Sequence, residues 1–338
     1  MKLCIIVPYF GTFPPYINTF LYSASYNKKI DWLIFTDQST DDLPNIGNVK
    51  FIKSTFEDVK ARIQSVVGKR IVLDAPYKLC DYRPLYGKVF KDYLHDYDYW
   101  GYGDIDIVCG DIMKFILPGL RKKYDRIGDL GHFSLYKNNP DVNNRYLLPI
   151  KDRHGNKIRL FDRVYKHARG YAFDELGMRA IYKYYHFNTY RNKDLVNETK
   201  VGCLDLYSID PRFCNLEGAF IWDKGKCLYY YLDSKKGQLC FHEFGYFHLI
   251  KRHRFTNFLN KKVECFGIST DGYHQMQSLT TGNVEQIMHK NHSSYCKRIG
   301  YMIHSYFFSG DITFRKILGF HLPIFELYGE IKNHTLRF

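Results

Sequence analysis

The 338-residue chain has no C-x-x-C pair and an odd number of cysteines, nine, so neither a disulfide framework nor a zinc ribbon is expected. Reduced thiols in a cytoplasmic protein fit that usage. No stretch approaches the roughly 20 apolar residues that a membrane-spanning helix needs. The opening MKLCIIVPYFG has a short apolar run stopped by Pro8, too brief for a signal peptide, and reads as a strand followed by a loop. A soluble protein, peripheral to a membrane at most, is therefore expected. Internal repeats and low-complexity tracts are also missing. So is any nucleic-acid recognition motif, and no nucleic-acid partner is expected.

What is abundant is basic charge and tyrosine. Lysine and arginine number 49 against 35 acidic residues, a net charge of +14, which favours an anionic partner or a solvated basic surface. Thirty tyrosines and 26 phenylalanines fill core positions or line sites that bind flat rings and sugars.

The apolar runs LCIIV (3–7), WLIFTD (32–37) and VKFIKS (49–54) read as strands buried on both faces. Helical spacing appears in YINTFLYSASYN (16–27) and FEDVKARIQSVVG (56–68). The order βαββα predicts a wound α/β sheet. A helix from Pro84 to about Leu94, the strand DYWGYGD and a strand-like DRIGDLGHFSLYKN follow. Further on come a helix over about 174–185 and strands near 218–222, 226–232 and 240–252. The polar, basic region 146–170 reads as a loop over a site. From about residue 255 the strand–helix order stops, giving an expected catalytic domain over 1–255. Residues 256–338 form a smaller aromatic and basic C-terminal region, expected to be helical.

Two D-x-D pairs occur, Asp96/Asp98 and Asp104/Asp106, and about two are expected by chance from 26 aspartates. Position separates them. The first pair precedes the strand and reads as solvated helix-end residues. The second follows it, at the carboxyl edge where wound sheets bind ligands. Carboxylates so spaced can hold a hard divalent cation together with a ligand's phosphates.

The pieces IIVPYFGTFP, WLIFTD, YKLCDYRPLYG, GYGDIDIVCGDI, GHFSLYKN, AFDELG and YFHLIKR, in that order over about 5–252, resemble the GT-A glycosyltransferases. The closer likeness is to a bacterial group tied to capsule and surface-polysaccharide gene sets. The resemblance implies a Rossmann-like mixed sheet flanked by helices and a hexosyltransferase using a nucleotide-diphosphate sugar, UDP-linked by family habit. It also implies a divalent cation, Mn²⁺ ahead of Mg²⁺. Asp106 would ligate the metal, Asp104 would share metal and nucleotide, and His248 would be a third ligand, with His242 and His253 as weaker alternatives. Lys251 would neutralise the diphosphate.

By the same resemblance Pro8, Tyr9 and Phe10 border the base, where either ring could stack on uracil or pack locally. Asp37 would contact base or ribose, or form a turn. Lys78, Asp81 and Arg83 would lie beside the nucleotide, unless Asp81 caps a helix. An inverting enzyme needs a base, for which Asp174 and Glu175 are the candidates; a retaining one needs none. The expected acceptor is a glycan, lipid-linked at the inner face of the cytoplasmic membrane, with KRHRFTNFLNKK (251–262) resting on anionic lipid. The competing reading is a noncatalytic relative that binds a glycan or a partner protein.

Overall fold

The computed structural model describes residues 1–199, 206–214, 216–233, 237–249, 256–257 and 263–291. Its strands in chain order are β1 (Leu3–Pro8), β2 (Ile30–Thr36), β3 (Val49–Lys53), β4 (Tyr99–Gly103), β5 (Ile107–Cys109), β6 (Arg126–Leu130) and β7 (Phe133–Lys137). The short hairpin β8 (Ile150–Lys151) and β9 (Lys157–Ile158) comes next, then β10 (Thr189–Tyr190) and β11 (Val196–Glu198). The last are β12 (Gly218–Asp223), β13 (Lys226–Asp233), β14 (Gln238–Phe244), β15 (Tyr246–His248), β16 (Thr256–Asn257), β17 (Cys265–Ser269) and β18 (Gly272–Gln275).

The largest sheet has seven strands in the order β10-β6-β7-β4-β1-β2-β3. β3, β2, β1 and β4 run parallel, and β7 is antiparallel to both β4 and β6. Both faces are covered at its centre, which is why β1, β2 and β4 are buried without alternation, while edge strand β3 exposes Lys50 and Lys53. Along β1, Leu3, Ile5 and Val7 join one core, and Cys4 and Ile6 join the other. The connecting helix Ile17–Ser25 packs Phe20 edge-on against Trp32, with ring centroids 5.2 Å apart. Helix Phe56–Val67 is closed by a Thr55/Asp58 capping box and by Gly68 at φ 67°. The protein is thus a mixed α/β structure with a large mixed sheet flanked by helices.

A three-stranded sheet, β11-β15-β5, sits at the site, and a six-stranded sheet, β14-β13-β12-β17-β18-β16, follows. β17, beyond residue 255, pairs with β12, which lies before it, so the expected boundary falls inside one sheet. Helix Thr281–Lys290 packs Val284 and Ile287 against Ile221 and Cys265 of that sheet. The C-terminal region therefore begins with strands before its helix.

Two other local expectations differ. The helix expected from Pro84 is a 3₁₀ helix, Pro76–Leu85, then short α turns Tyr86–Val89 and Lys91–Leu94, interrupted where Phe90 leaves helical geometry at φ −113°. Region 146–170 is not a bare loop: it holds the β8–β9 hairpin and helix Phe161–Lys166, which bury Leu160, Phe161, Val164 and Tyr165. Those four residues have helical spacing that the surrounding basic residues obscure. No helix among the described residues is long and apolar enough to cross a membrane.

Candidate functional site

The chain changes sheets at Asp104–Asp106. β4 ends at Gly103, residues 105–106 form a bend, and β5 begins at Ile107 in the three-stranded sheet. Backbone bonds fix the surroundings. Asp104 N–H donates to the His132 carbonyl (3.2 Å), Leu249 N–H to the Asp106 carbonyl (3.0 Å), and Thr199 N–H to the His248 carbonyl (3.0 Å). Three segments remote in sequence are thereby held against the acidic pair, and the bend sends its two carboxylates to different partners.

Asp104 goes to an arginine. Arg83 donates through Nη2 to Asp104 Oδ1, and through Nη1 to the Gly131 carbonyl (2.7 Å) and Asp174 Oδ2 (3.1 Å). Tyr102 lies 5.5 Å from the guanidinium. Gly131 is required by this closure, because a Cβ there would stand 2.8 Å from Glu175 Oε1 and 2.9 Å from Asp174 Oδ2. Burial pushes the Asp174 carboxyl up to about 7, against the opposing pull of Arg83. The Asp174 carbonyl accepts from the fully buried Arg126 (3.0 Å) and from the Tyr102 hydroxyl (3.1 Å). These anchors hold a π turn over Phe173–Gly177, entered through Ala172 at φ 47°.

Asp106 goes to a histidine. Its Oδ1 is shut off from solvent, has no aligned hydrogen bond, and faces His248 Nε2 at 3.5 Å. On the other side of the ring, His248 Nδ1 lies 3.0 Å from Glu198 Oε1. His132 Nε2 lies 2.7 Å from the same oxygen, outside hydrogen-bond alignment, and the two imidazoles overlap with centroids 3.9 Å apart. Burial alone would discharge His248, but Asp106 and Glu198 outweigh it and push the imidazole up to about 10. Burial likewise opposes charge on Asp106, and His248 more than compensates, holding its carboxyl below the ordinary value.

Among the described residues two groups have metal-ligand proximity: Asp104, Asp106 and His248, and His132, Glu198 and His248. Two ligands each about 2.1 Å from one small divalent cation stand about 3.0–3.5 Å apart. The 3.5 Å between Asp106 Oδ1 and His248 Nε2 meets that spacing, and the buried oxygen has no hydrogen bond among the described residues. The 2.7 Å between His132 and Glu198 is too short for co-ligands and suits direct charge contact. The residues present therefore fit a cation on the Asp106 side of His248.

Residues 5–277 match a protein family described as a family of unknown function (DUF6625). The chain belongs to that family. No curated protein and no solved structure gives a significant match. The DUF6625 match includes every residue of the site and runs past 255 through β18, so the second sheet is part of the family unit.

The structure brings together Asp104, Asp106, His248, Arg83, Asp174 and Glu175 from among the residues singled out in sequence. Asp174 is only 3% exposed, with Oδ2 on Arg83 and Oδ1 on the Glu175 N–H, so it holds Arg83 and does not face outward. Glu175 is half-buried and accepts from Gly131 N–H (2.5 Å). Lys78 and Asp81 are a buried pair at 2.7 Å; Asp81 also accepts from the Tyr171 and Phe173 N–H groups, both at 2.9 Å. Fully engaged inside the protein, these two pin the segment leading to Asp174; they are not nucleotide contacts, and Asp81 caps no helix.

Tyr9 donates to the Thr12 carbonyl (3.1 Å) and stacks on Phe13, while burial and then the Asp106 charge push its hydroxyl up. Phe10 packs edge-on to Phe56, the local alternative, and half-buried Pro8 ends β1. Asp37 is exposed and accepts from Gln38 (2.7 Å). His242 belongs elsewhere, against Asp194 at 2.9 Å. Lys251, His253 and the basic stretch 251–262, apart from the backbone of 256–257, lie outside the described residues. Sequence reasoning missed His132 and Glu198. His132 lies within the quoted GHFSLYKN, whereas nothing in the polar DLVNETK marks Glu198.

Proposed function

We propose that this protein is a metal-dependent glycosyltransferase of GT-A type, moving a sugar from a nucleotide-diphosphate sugar, UDP-linked in first place, to a glycan acceptor. The observation that carries the reading is the buried, unsatisfied Asp106 Oδ1 facing His248 Nε2 at 3.5 Å. It stands just past the carboxyl end of β4, the edge on which wound sheets bind ligands. The parallel order β3-β2-β1-β4 supports the GT-A assignment.

Asp106 and His248 would hold the cation with Asp104 at its side, and Mn²⁺ suits this mixed imidazole and carboxylate set. Bound there, the cation supplies charge neutralisation for a departing nucleoside diphosphate. Arg83 holds Asp104 in an ion pair beside the same place. Glu175, the more open of the two acids near Gly131, would accept a proton from an acceptor hydroxyl in an inverting reaction. Tyr9 borders the site from the loop after β1. The acceptor belongs to bacterial capsule or surface polysaccharide synthesis, carried on lipid at the inner membrane face.

The test is a thermal-shift and turnover panel of UDP-, GDP- and CDP-sugars with Mn²⁺. A Mn²⁺-dependent shift with one nucleotide class, lost together with sugar release in Asp106→Ala, is the expected result. Normal turnover by Asp106→Ala refutes the site. Absence of any nucleotide-sugar binding by the wild-type protein refutes the activity and favours a noncatalytic glycan- or partner-binding protein.

A further inference from the structure

Glu198 and His132 have no part in the site as the sequence describes it, yet they surround the one ring on which that site depends. β11 and β15 pair in parallel with Glu198 opposite His248, and β15 pairs antiparallel with β5 so that His248 is opposite Ile107, next to Asp106. Across this small sheet a carboxylate and an imidazole thus share one row, and the second carboxylate stands one residue off it, at the bend before β5. Glu198 Oε1 is 3.0 Å from Nδ1, and Asp106 Oδ1 is 3.5 Å from Nε2.

A neutral imidazole has one proton and one lone pair, and the partner of one nitrogen decides which nitrogen keeps the lone pair. Glu198, holding only acceptors, accepts the hydrogen bond from Nδ1–H, so Nε2 is the nitrogen that gives up its proton when a cation binds toward Asp106. Without a cation the Nε2 proton carries the positive charge across the 3.5 Å to Asp106, and a divalent cation can take that proton's place between the two ligand atoms. Glu198 is itself held in place. His132 Nε2 sits 2.7 Å from the same oxygen, and His132 Nδ1 is bonded to the buried Tyr246 hydroxyl at 2.9 Å. His132 also covers the face of the His248 ring, which limits its rotation.

We propose that Glu198, braced by His132 and Tyr246, is the positioning residue that sets the tautomer and orientation of His248 for cation binding. This rests on the cation reading above. Outer carboxylates of this kind typically change metal affinity by about 10–100-fold. Glu198 acts through His248 and is not itself a ligand.

The test titrates the full-length protein with Mn²⁺ alone, following affinity by EPR and nitrogen coupling to bound Mn²⁺ by pulsed EPR. Wild type is expected to show imidazole coupling that His248→Ala abolishes. Glu198→Ala should bind about 10–100-fold more weakly with that coupling diminished. Glu198→Gln, which keeps an acceptor at Nδ1, should fall between the two. The metal-free melting temperature of Glu198→Gln should stay near wild type, separating positioning from simple unfolding. Wild-type affinity in both Glu198 variants overturns the inference. So does weak binding with undiminished nitrogen coupling, which would make Glu198 a direct ligand. If wild type shows no nitrogen coupling, the cation reading itself fails, and with it this inference.

Discussion

Replacing Arg83 by methionine probes how the acidic half of the site is held. Arg83 is the cation for two carboxylates, but they differ in burial: the Asp174 side chain is 5% exposed and the Asp104 side chain 32%. Water can compensate Asp104, so the cost comes chiefly from Asp174. Removing one partner of a buried ion pair costs about 3–5 kcal/mol when the other stays charged. When the carboxyl is neutral, the loss is nearer one or two hydrogen bonds, about 1–2 kcal/mol.

The pH sets which applies. Asp174 rises from an ordinary 3.8 to about 7 in the folded protein. Its stabilising effect is therefore fully present below about 4 and is lost as pH rises through 7. Without Arg83 the folded value climbs further, and the loss continues above pH 7 at about 1.4 kcal/mol per pH unit. Arg83→Met should thus destabilise by about 1–2 kcal/mol at pH 5 and about 2.5–3.5 kcal/mol at pH 8. Urea denaturation followed by fluorescence is suited to this, since Trp32, Trp100 and Trp222 are all fully buried. The same substitution made on an Asp174→Asn background should cost nearly the same at both pH values. An equal loss at pH 5 and pH 8 in the wild-type background, or a loss below about 1 kcal/mol at pH 8, refutes the reasoning.

Asp81→Ala strands the Lys78 ammonium and two N–H groups inside the protein, and should cost about 3–5 kcal/mol in urea. It should also speed tryptic cleavage after Arg163, Lys166 or Arg169; an unchanged midpoint with unchanged digestion would contradict the buried-pair role. Asp96→Asn, in the other acidic pair, touches an exposed residue whose neighbour is the exposed His95. It should move stability by less than about 0.5 kcal/mol and leave Mn²⁺ binding as in wild type. A loss of Mn²⁺ affinity there would mean that strand position chose the wrong pair.

How far the sequence could be read depended on whether a contact was local. LCIIV and WLIF are legible as strands because burial on both faces leaves no polar position to confuse the pattern, whereas VKFIK, at the sheet edge, is legible through its β-branched and aromatic residues despite two exposed lysines. Asp104 and Asp106 are legible because they follow such a strand at its carboxyl edge. Glu198 is illegible because it reaches the site only through pairing with β15, about 50 residues away, a register that no local pattern encodes. Lys78 and Asp81 mislead for the same reason. Unlike charges in a loop resemble ligand groups until the Arg169–Phe173 segment, some 90 residues later, folds over them and buries them. The boundary near 255 fails likewise, since β12 and β17 pair across it.

The D-x-D spacing has a physical meaning that its statistics do not supply. Asp104 is the first residue after the seven-stranded sheet and Asp106 the last before the three-stranded one. One carboxylate is therefore governed by the arginine that closes over Gly131, and the other by the histidine facing it from β15. A single intervening residue, the buried Ile105, fits a bend between sheets that meet at this point. Moving either aspartate by one position would turn it out of its network. Asp96 and Asp98 have the same spacing but precede β4, where Asp98 accepts the Lys2 N–H at 2.7 Å and lies 3.8 Å from the Met1 amino group. The spacing becomes a site where the chain passes between sheets, and only there does it place two carboxylates within reach of one imidazole.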